Sequence, residues 1–404
     1  MTSFWIEAAS FLLRWLHVVA AIAWIGESFY FVMLDRALKP PKVGAAGVFG
    51  ELWSVHGGGF YHKQKYLIAP AQMPEDLHWS KWKSYTTWLS GFALLAILYL
   101  AQPNIYLIDP AVADLTPTLA IAAALGFLAL GWIVYDLACR LVGFRDGVLG
   151  MVVAIFVVLL SYAATHIFAG RAAFLLVGAV MATIMSANVF FIIIPGQKRM
   201  VAALAQGLTP DPLPGKRAKQ RSVHNTYFTL PVVFAMLSIH YAPAHAHADS
   251  WLVLLLFMSA GALIRQFFVL WHSGGRAWWL LAAGAAILLV TFAWLAPKPS
   301  PAPPVSAASG ESHTAAPLTI PSTAEIQPIL HARCAQCHAA QPTLMASAPL
   351  GAILETVEQI EAQADKVHLQ TVVLKIMPPG NLTQLTDAER AAIDRWHVGR
   401  QSAP

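Results

Sequence analysis

An all-α fold is what this sequence predicts: a bundle of eight membrane-spanning helices followed by a small all-α soluble domain. Three observations predict it. Hydrophobic residues make up 57% of the 404-residue chain and charged residues only 12%, about half the charged share of a soluble globular protein. Eight apolar stretches approach the roughly 20 residues needed to cross a bilayer. Basic residues cluster in every second connection between those stretches, as the charge rule for membrane topology demands.

The stretches are Ala8–Leu34, Ser84–Ala101, Thr118–Asp136, Gly147–Phe168, Ala172–Ile194, Tyr227–Tyr241, Trp251–Leu270 and Ala277–Ala296. The first is long and lacks a small-residue cleavage pattern, so it reads as a retained helix. The sixth is short, with Pro231 near its start. The connection after the first carries Arg36, Lys39, Lys42, Lys63, Lys65, Lys81 and Lys83. The one after the third carries Arg140 and Arg145. The one after the fifth carries Lys198, Arg199, Lys216, Arg217, Lys219 and Arg221, and the one after the seventh Arg276. The intervening connections hold only Arg171. Positive connections stay cytoplasmic. The N-terminus and the C-terminal domain are therefore expected on the periplasmic side of a bacterial inner membrane. The net charge of +5 is accounted for by topology and calls for no nucleic acid; the expected surrounding partner is the lipid bilayer.

Residues 1–296 thus form a membrane domain, and 297–317 a tether rich in Pro, Ala and Ser. Residues 318–404 form a soluble domain with helices expected over Ala324–Arg333, Leu350–Gln363 and Thr386–Arg400. In the last, Asp387 and Glu389 open the helix and Arg400 closes it, in accord with the helix dipole. Of the three cysteines, Cys139 stands alone and reads as structural.

The other two belong to Cys334-Ala-Gln-Cys337-His338, the Cys-x-x-Cys-His pattern of c-type haem attachment. Two thiols three apart on a helical turn reach the two vinyl groups of a porphyrin, and the next residue sets an imidazole under the iron. The alternatives are a chance match and a redox or zinc Cys-x-x-Cys. Met377, in Ile376-Met377-Pro378-Pro379-Gly380, is the candidate sixth ligand, since a thioether completes His/Met cytochromes c; Met345 is its competitor. A helix before the motif and one at the end match a class I-type all-α cytochrome c domain carrying one covalent haem c, its iron held by His338 and Met377. His331, His368 and His397 read as surface or packing residues.

Ionisable residues inside a bilayer are costly and mark function by default. Two groups emerge. The outer one contains Arg14, His17, His166 and His240; its three histidines, from three helices, can ligate a b-type haem or shuttle protons. The inner one contains Glu27, His56, His62, His224, Asn225 and Arg265. Within it, His56-Gly57-Gly58-Gly59-Phe60-Tyr61-His62 is a glycine-rich turn between two imidazoles, suited to an anion or a planar ring. Each polar residue can instead pair quietly within the bundle. His78, His245, His247, His272 and His313 read as solvated.

Taken together, the His56–His62 segment, the run His224-Asn225-Thr226-Tyr227-Phe228-Thr229-Leu230-Pro231 with Met236 and His240-Tyr241, and the segment from His166 through Gly170-Arg171-Ala172 to Asn188 and Pro195-Gly196-Gln197 carry a resemblance. The chain resembles the bacterial membrane-bound urate oxidases (urate hydroxylases), which fuse a multi-helix membrane domain to a C-terminal cytochrome c. The resemblance implies oxidation of urate to 5-hydroxyisourate. Electrons would pass to the cytochrome domain and on to an acceptor such as a terminal cytochrome c oxidase, without peroxide. Urate is a planar monoanion at neutral pH, so its site needs a cation and a base. Arginine suits the first and histidine or glutamate the second. Arg14 with His17 outside, or Arg265 with Glu27 and His224 inside, meet that demand. A non-enzymatic electron conduit fed by quinol or a protein partner is the alternative.

Overall fold

The computed structural model describes residues 2–42, 47–70, 72–296, 320–345 and 347–401. The expected tether falls outside them, as does His313. The chain opens with α1 (Thr2–Ala37) and a two-stranded antiparallel hairpin, β1 (Val48–His56) and β2 (Gly59–Tyr66). Next come α2 (Trp82–Leu95), extended by a π-helical turn to Leu100, and the short α3 (Pro103–Tyr106). They are followed by α4 (Pro117–Val142), α5 (Asp146–Thr165) and α6 (Gly170–Ala187). A π turn over Asn188–Ile193 joins α6 to α7 (Ile194–Ala205) in one continuous rod. Then come α8 (Leu213–Leu237), α9 (Ala242–His245), α10 (Ser250–His272) and α11 (Trp278–Leu295). The C-terminal unit holds α12 (Thr323–Arg333), α13 (Val357–Ala362), α14 (Ala364–His368) and α15 (Asp387–Gln401).

The all-α class fits, and among the described residues six helices are long and apolar enough to cross a membrane. They are Trp5–Ala37 of α1, α4, α5, the rod Gly170–Ala205, α10 and α11. The second and sixth expected spans form α2 and α8 but are not among these six. Only 14 residues of the second are α-helical before the π turn. The sixth is the far half of a helix whose first turns carry Lys216, Arg217, Lys219 and Arg221.

One local expectation is refined and one is corrected. The Gly57–Gly58 turn caps a β-hairpin, with Trp53 opposite His62 and Val55 opposite Phe60. Alternating β-branched and aromatic residues favour a strand, and both glycines adopt positive φ, as a tight hairpin requires. The helix expected over Leu350–Gln363 starts only at Val357. Thr356 caps it, accepting a hydrogen bond from the Gln359 N–H while Gln359 bonds back; Leu350 upstream has φ +56°.

Small residues set the spacing of the bundle. At Gly131 on α4 a Cβ would lie 2.3 Å from Val180 Cγ1 on α6, and at Gly178 on α6 one would lie 2.8 Å from Ala235 Cβ on α8. Such close approach is how helices associate where no hydrophobic force separates them from lipid. Gly131→Ala is expected to destabilise the protein by about 1–3 kcal/mol through overpacking, and Val180→Ala in the same chain to recover much of it. Thermal unfolding in detergent checks both; an unchanged transition in the single variant contradicts the close packing. A second core gathers Ile326, Leu330, Ile360, Val367, Leu385, Ile393 and Trp396 in the C-terminal unit.

Candidate functional site

The close approach of α4, α6 and α8 brings a polar network into the bundle. Pro195 explains part of its shape. It has no N–H to donate and its ring crowds the carbonyl one turn back, and the π turn over Asn188–Ile193 lies just before it. Asn188 opens that turn and is fully buried. Its side-chain NH2 donates to Asn225 Oδ1 (2.8 Å) and to the Tyr135 hydroxyl (3.2 Å). Tyr135 shares a 2.7 Å hydrogen bond with His224 Nδ1. Asn225 donates to the Met185 carbonyl (3.0 Å). Arg221, 4% exposed, lies 4.9 Å from the Tyr135 ring centre and pairs with Asp136 at 2.6 Å. Every member is satisfied, so the network holds its geometry rigidly. The imidazole is thereby held through Nδ1.

Arg265 stands in a different state. It is 3% exposed, and its guanidinium lies 4.2 Å from the centre of the Phe29 ring. Nε and one terminal nitrogen have no hydrogen-bond partner. Among the described residues no carboxylate forms an ion pair with it. An unpaired buried charge costs several kcal/mol, which an anion placed there would offset. The next residue of α10, Gln266, accepts a hydrogen bond from the Tyr227 hydroxyl of α8.

The structure divides the predicted inner group. His224 and Asn225 share the network. Arg265 lies apart on α10 against α1. Glu27 pairs with Lys83 (3.0 Å) and accepts from the Ser80 hydroxyl. His62 stacks on Trp53 at 4.2 Å and bonds Glu51 at 2.8 Å, whereas His56 is exposed at the end of β1. The outer histidines also keep separate company. His17 Nδ1 donates to the Thr87 carbonyl (3.0 Å) and lies 3.1 Å from the Ser90 hydroxyl, its ring against Gly91. His166 is exposed, stacked on Tyr162 at 4.0 Å, and donates to the Tyr162 carbonyl. His240 is exposed in the turn after α8. His245 is not solvated as expected but 9% exposed, beneath Phe174. Burial, aided by Arg171, lowers its pKa to about 4, so it is neutral.

Sequence reasoning missed Tyr135 and Arg221 as members of the network. Arg221 was legible as a basic residue on a helix that continues into the bundle. A tyrosine within an apolar helix gave no such signal.

In the C-terminal unit, Cys334, Cys337 and His338 follow α12. His338 Nδ1 donates to the Ala352 carbonyl at 2.9 Å; this fixes the ring and leaves Nε2 for a metal, the usual arrangement of an axial imidazole. The Met377 loop is pinned by Arg390, whose guanidinium donates to the carbonyls of Met377 (3.1 Å) and Thr371. These residues fit a c-type haem. No group of three or more His, Cys, Asp or Glu gathers as a metal site among the described residues. Two thioether links, one imidazole and one methionine require no such group. His368 and His397, expected as surface or packing residues, stack at 4.0 Å, each bonded to an aspartate.

No curated protein and no solved structure matches the chain. A family model does: Urate oxidase N-terminal matches residues 3–296, the whole helical bundle with its polar network and Arg265. The chain belongs to the urate oxidase N-terminal family.

Proposed function

We propose that the protein is a membrane-bound urate oxidase of eight transmembrane helices, whose C-terminal unit is a periplasmic cytochrome c with one covalent haem. α2 and α8 would complete the eight crossings. The observation that carries the reading is the family match over residues 3–296. The reaction is urate plus water to 5-hydroxyisourate, two protons and two electrons. Cys334, Cys337, His338 and Met377 would hold the haem, which would supply one-electron acceptance. An acceptor such as a terminal cytochrome c oxidase must empty it between the two electrons.

The chain's own residues have distinct tasks in this reading. Arg265 holds the urate anion, with the Phe29 ring beside its plane. His224, oriented by Tyr135 and one turn of α8 before Tyr227, which lies within electrostatic range of Arg265, is the base for the proton released as water adds to C5. Asn188 and Asn225 hold that tyrosine and histidine in register, and the Arg221–Asp136 pair closes the network. Glu27, His56 and His62 already have other partners or lie exposed, which favours His224 as the base.

The test is anaerobic mixing of oxidised protein with urate, followed in the reduced c-haem absorption band. Reduction of two haems per urate is expected. An intact haem that dithionite reduces and urate does not would sink the proposal. A b-haem conduit has one observation in its favour, the anchored Nδ1 of His17. Haem extraction that yields only covalent haem removes that reading.

A further inference from the structure

The C-terminal unit touches the bundle at one end through a small set of close contacts. At Gly380 a Cβ would lie 2.7 Å from the Ile108 carbonyl oxygen and 3.5 Å from Asp109 Cα. The turn Pro379–Asn381 therefore meets the loop after α3 backbone to backbone. Gly380 also has φ +52°, so both its conformation and its contact favour glycine. A second contact joins the C-terminal unit to the start of α1: the Ser347 hydroxyl donates to Glu7 Oε1 at 2.6 Å.

The surface under this contact is rigid. Leu107 is fully buried and Ile108 6% exposed. The Leu107 carbonyl accepts from the Ala169 N–H (2.9 Å), and the Ile108 N–H donates to the Pro103 carbonyl (3.0 Å). Tyr106 lies within electrostatic range of Cys337. Its ring centre is 5.3 Å from that of Tyr99, which is 4% exposed within the bundle. Arg171 stands 5.9 Å from the Tyr106 ring. The cytochrome's Met377 loop and its Cys337 side thus face the same patch of the membrane domain.

We propose that this patch, Pro103–Asp109 with Glu7, is a built-in docking cradle for the C-terminal unit, and that Tyr106 above Tyr99 is the path by which electrons enter the haem. The electron-transfer role rests on the urate-oxidase reading; the docking does not. Linkage within one chain supplies an effective concentration of about millimolar, so modest contacts suffice to hold the unit seated. No bond forms or breaks at the tyrosines, which stay reduced and shorten the gap for tunnelling. One electron crosses per docking, and the external one-electron acceptor removes it before the second crosses.

The experiment uses the full chain carrying Glu7→Cys and Ser347→Cys. Mild oxidation is expected to join the two positions in most molecules, while either single variant gives no cross-link. The locked protein should still reduce its haem with urate. In an otherwise native chain, Tyr106→Leu should slow urate-driven reduction several-fold and leave reduction by ascorbate unchanged. A double variant that cross-links no more than the singles overturns the docking. Locked protein that ascorbate reduces and urate does not, while unlocked protein responds to both, overturns its electron-transfer role, as does a Tyr106 variant of unchanged rate. If unlocked wild type itself fails with urate, the enzymatic reading falls with the electron path, and the cross-link alone decides the docking.

Discussion

Arg265→Gln should weaken urate oxidation and strengthen the fold at the same time. Truncating one partner of a buried, hydrogen-bonded charge pair costs about 2–5 kcal/mol, so kcat/KM for urate should fall roughly 30-fold or more, chiefly through KM. The ligand-free protein responds in the opposite direction. Wild type carries a buried guanidinium with two unpartnered nitrogens and, among the described residues, no ion-paired carboxylate, and replacing a charge that lacks a partner removes its desolvation cost. The thermal transition of the ligand-free variant should therefore rise. Steady-state kinetics and detergent thermal melts check the pair. Lower stability together with unchanged KM would show that Arg265 is a structural cation held by Phe29 alone.

Met377→Ala should leave the haem covalently attached and lower its potential by about 100 mV or more, a part of the roughly 0.8 V that axial ligands command. In the proposed haem c domain, loss of the Met377 thioether would remove the ligand that favours ferrous iron. The loop should survive, because Arg390 grips the backbone carbonyl of residue 377 and not its side chain. Cys334→Ala, by contrast, should impair attachment itself. Spectroelectrochemical titration separates the two variants. An unchanged potential in Met377→Ala would move the sixth ligand to Met345 or elsewhere.

Long apolar periodicity made the spans readable, because a bilayer imposes length and composition on each helix independently of its neighbours. Thus α5, α10 and α11 begin and end close to where the sequence placed them, and α4 begins there but runs on past Asp136 to Val142. The hairpin escaped notice because its residues lay between spans, where basic charge dominated the reading. His224 and Asn225 were legible as polar residues on a helix near the membrane. Their partners were not. Tyr135, Asn188 and His224 come from three helices far apart in sequence, and only the narrow spacing permitted by Gly131 and Gly178 brings those helices together. The glycine-flanked histidines show the converse. His56 and His62 are conspicuous in sequence, yet one is exposed and the other is occupied by Trp53 and Glu51.

The sequence by itself determined the apolar helical bundle, the polar C-terminal unit and the Cys334–His338 motif, since each is written in local spacing or composition. The tertiary structure decided which polar residues meet. It left Arg265 without an ion pair among the described residues, joined His224 to Tyr135, gave Glu27 to Lys83, and seated the Met377 loop on Ile108. Those outcomes depend on distances between segments remote in the chain, set by close packing that no local pattern encodes.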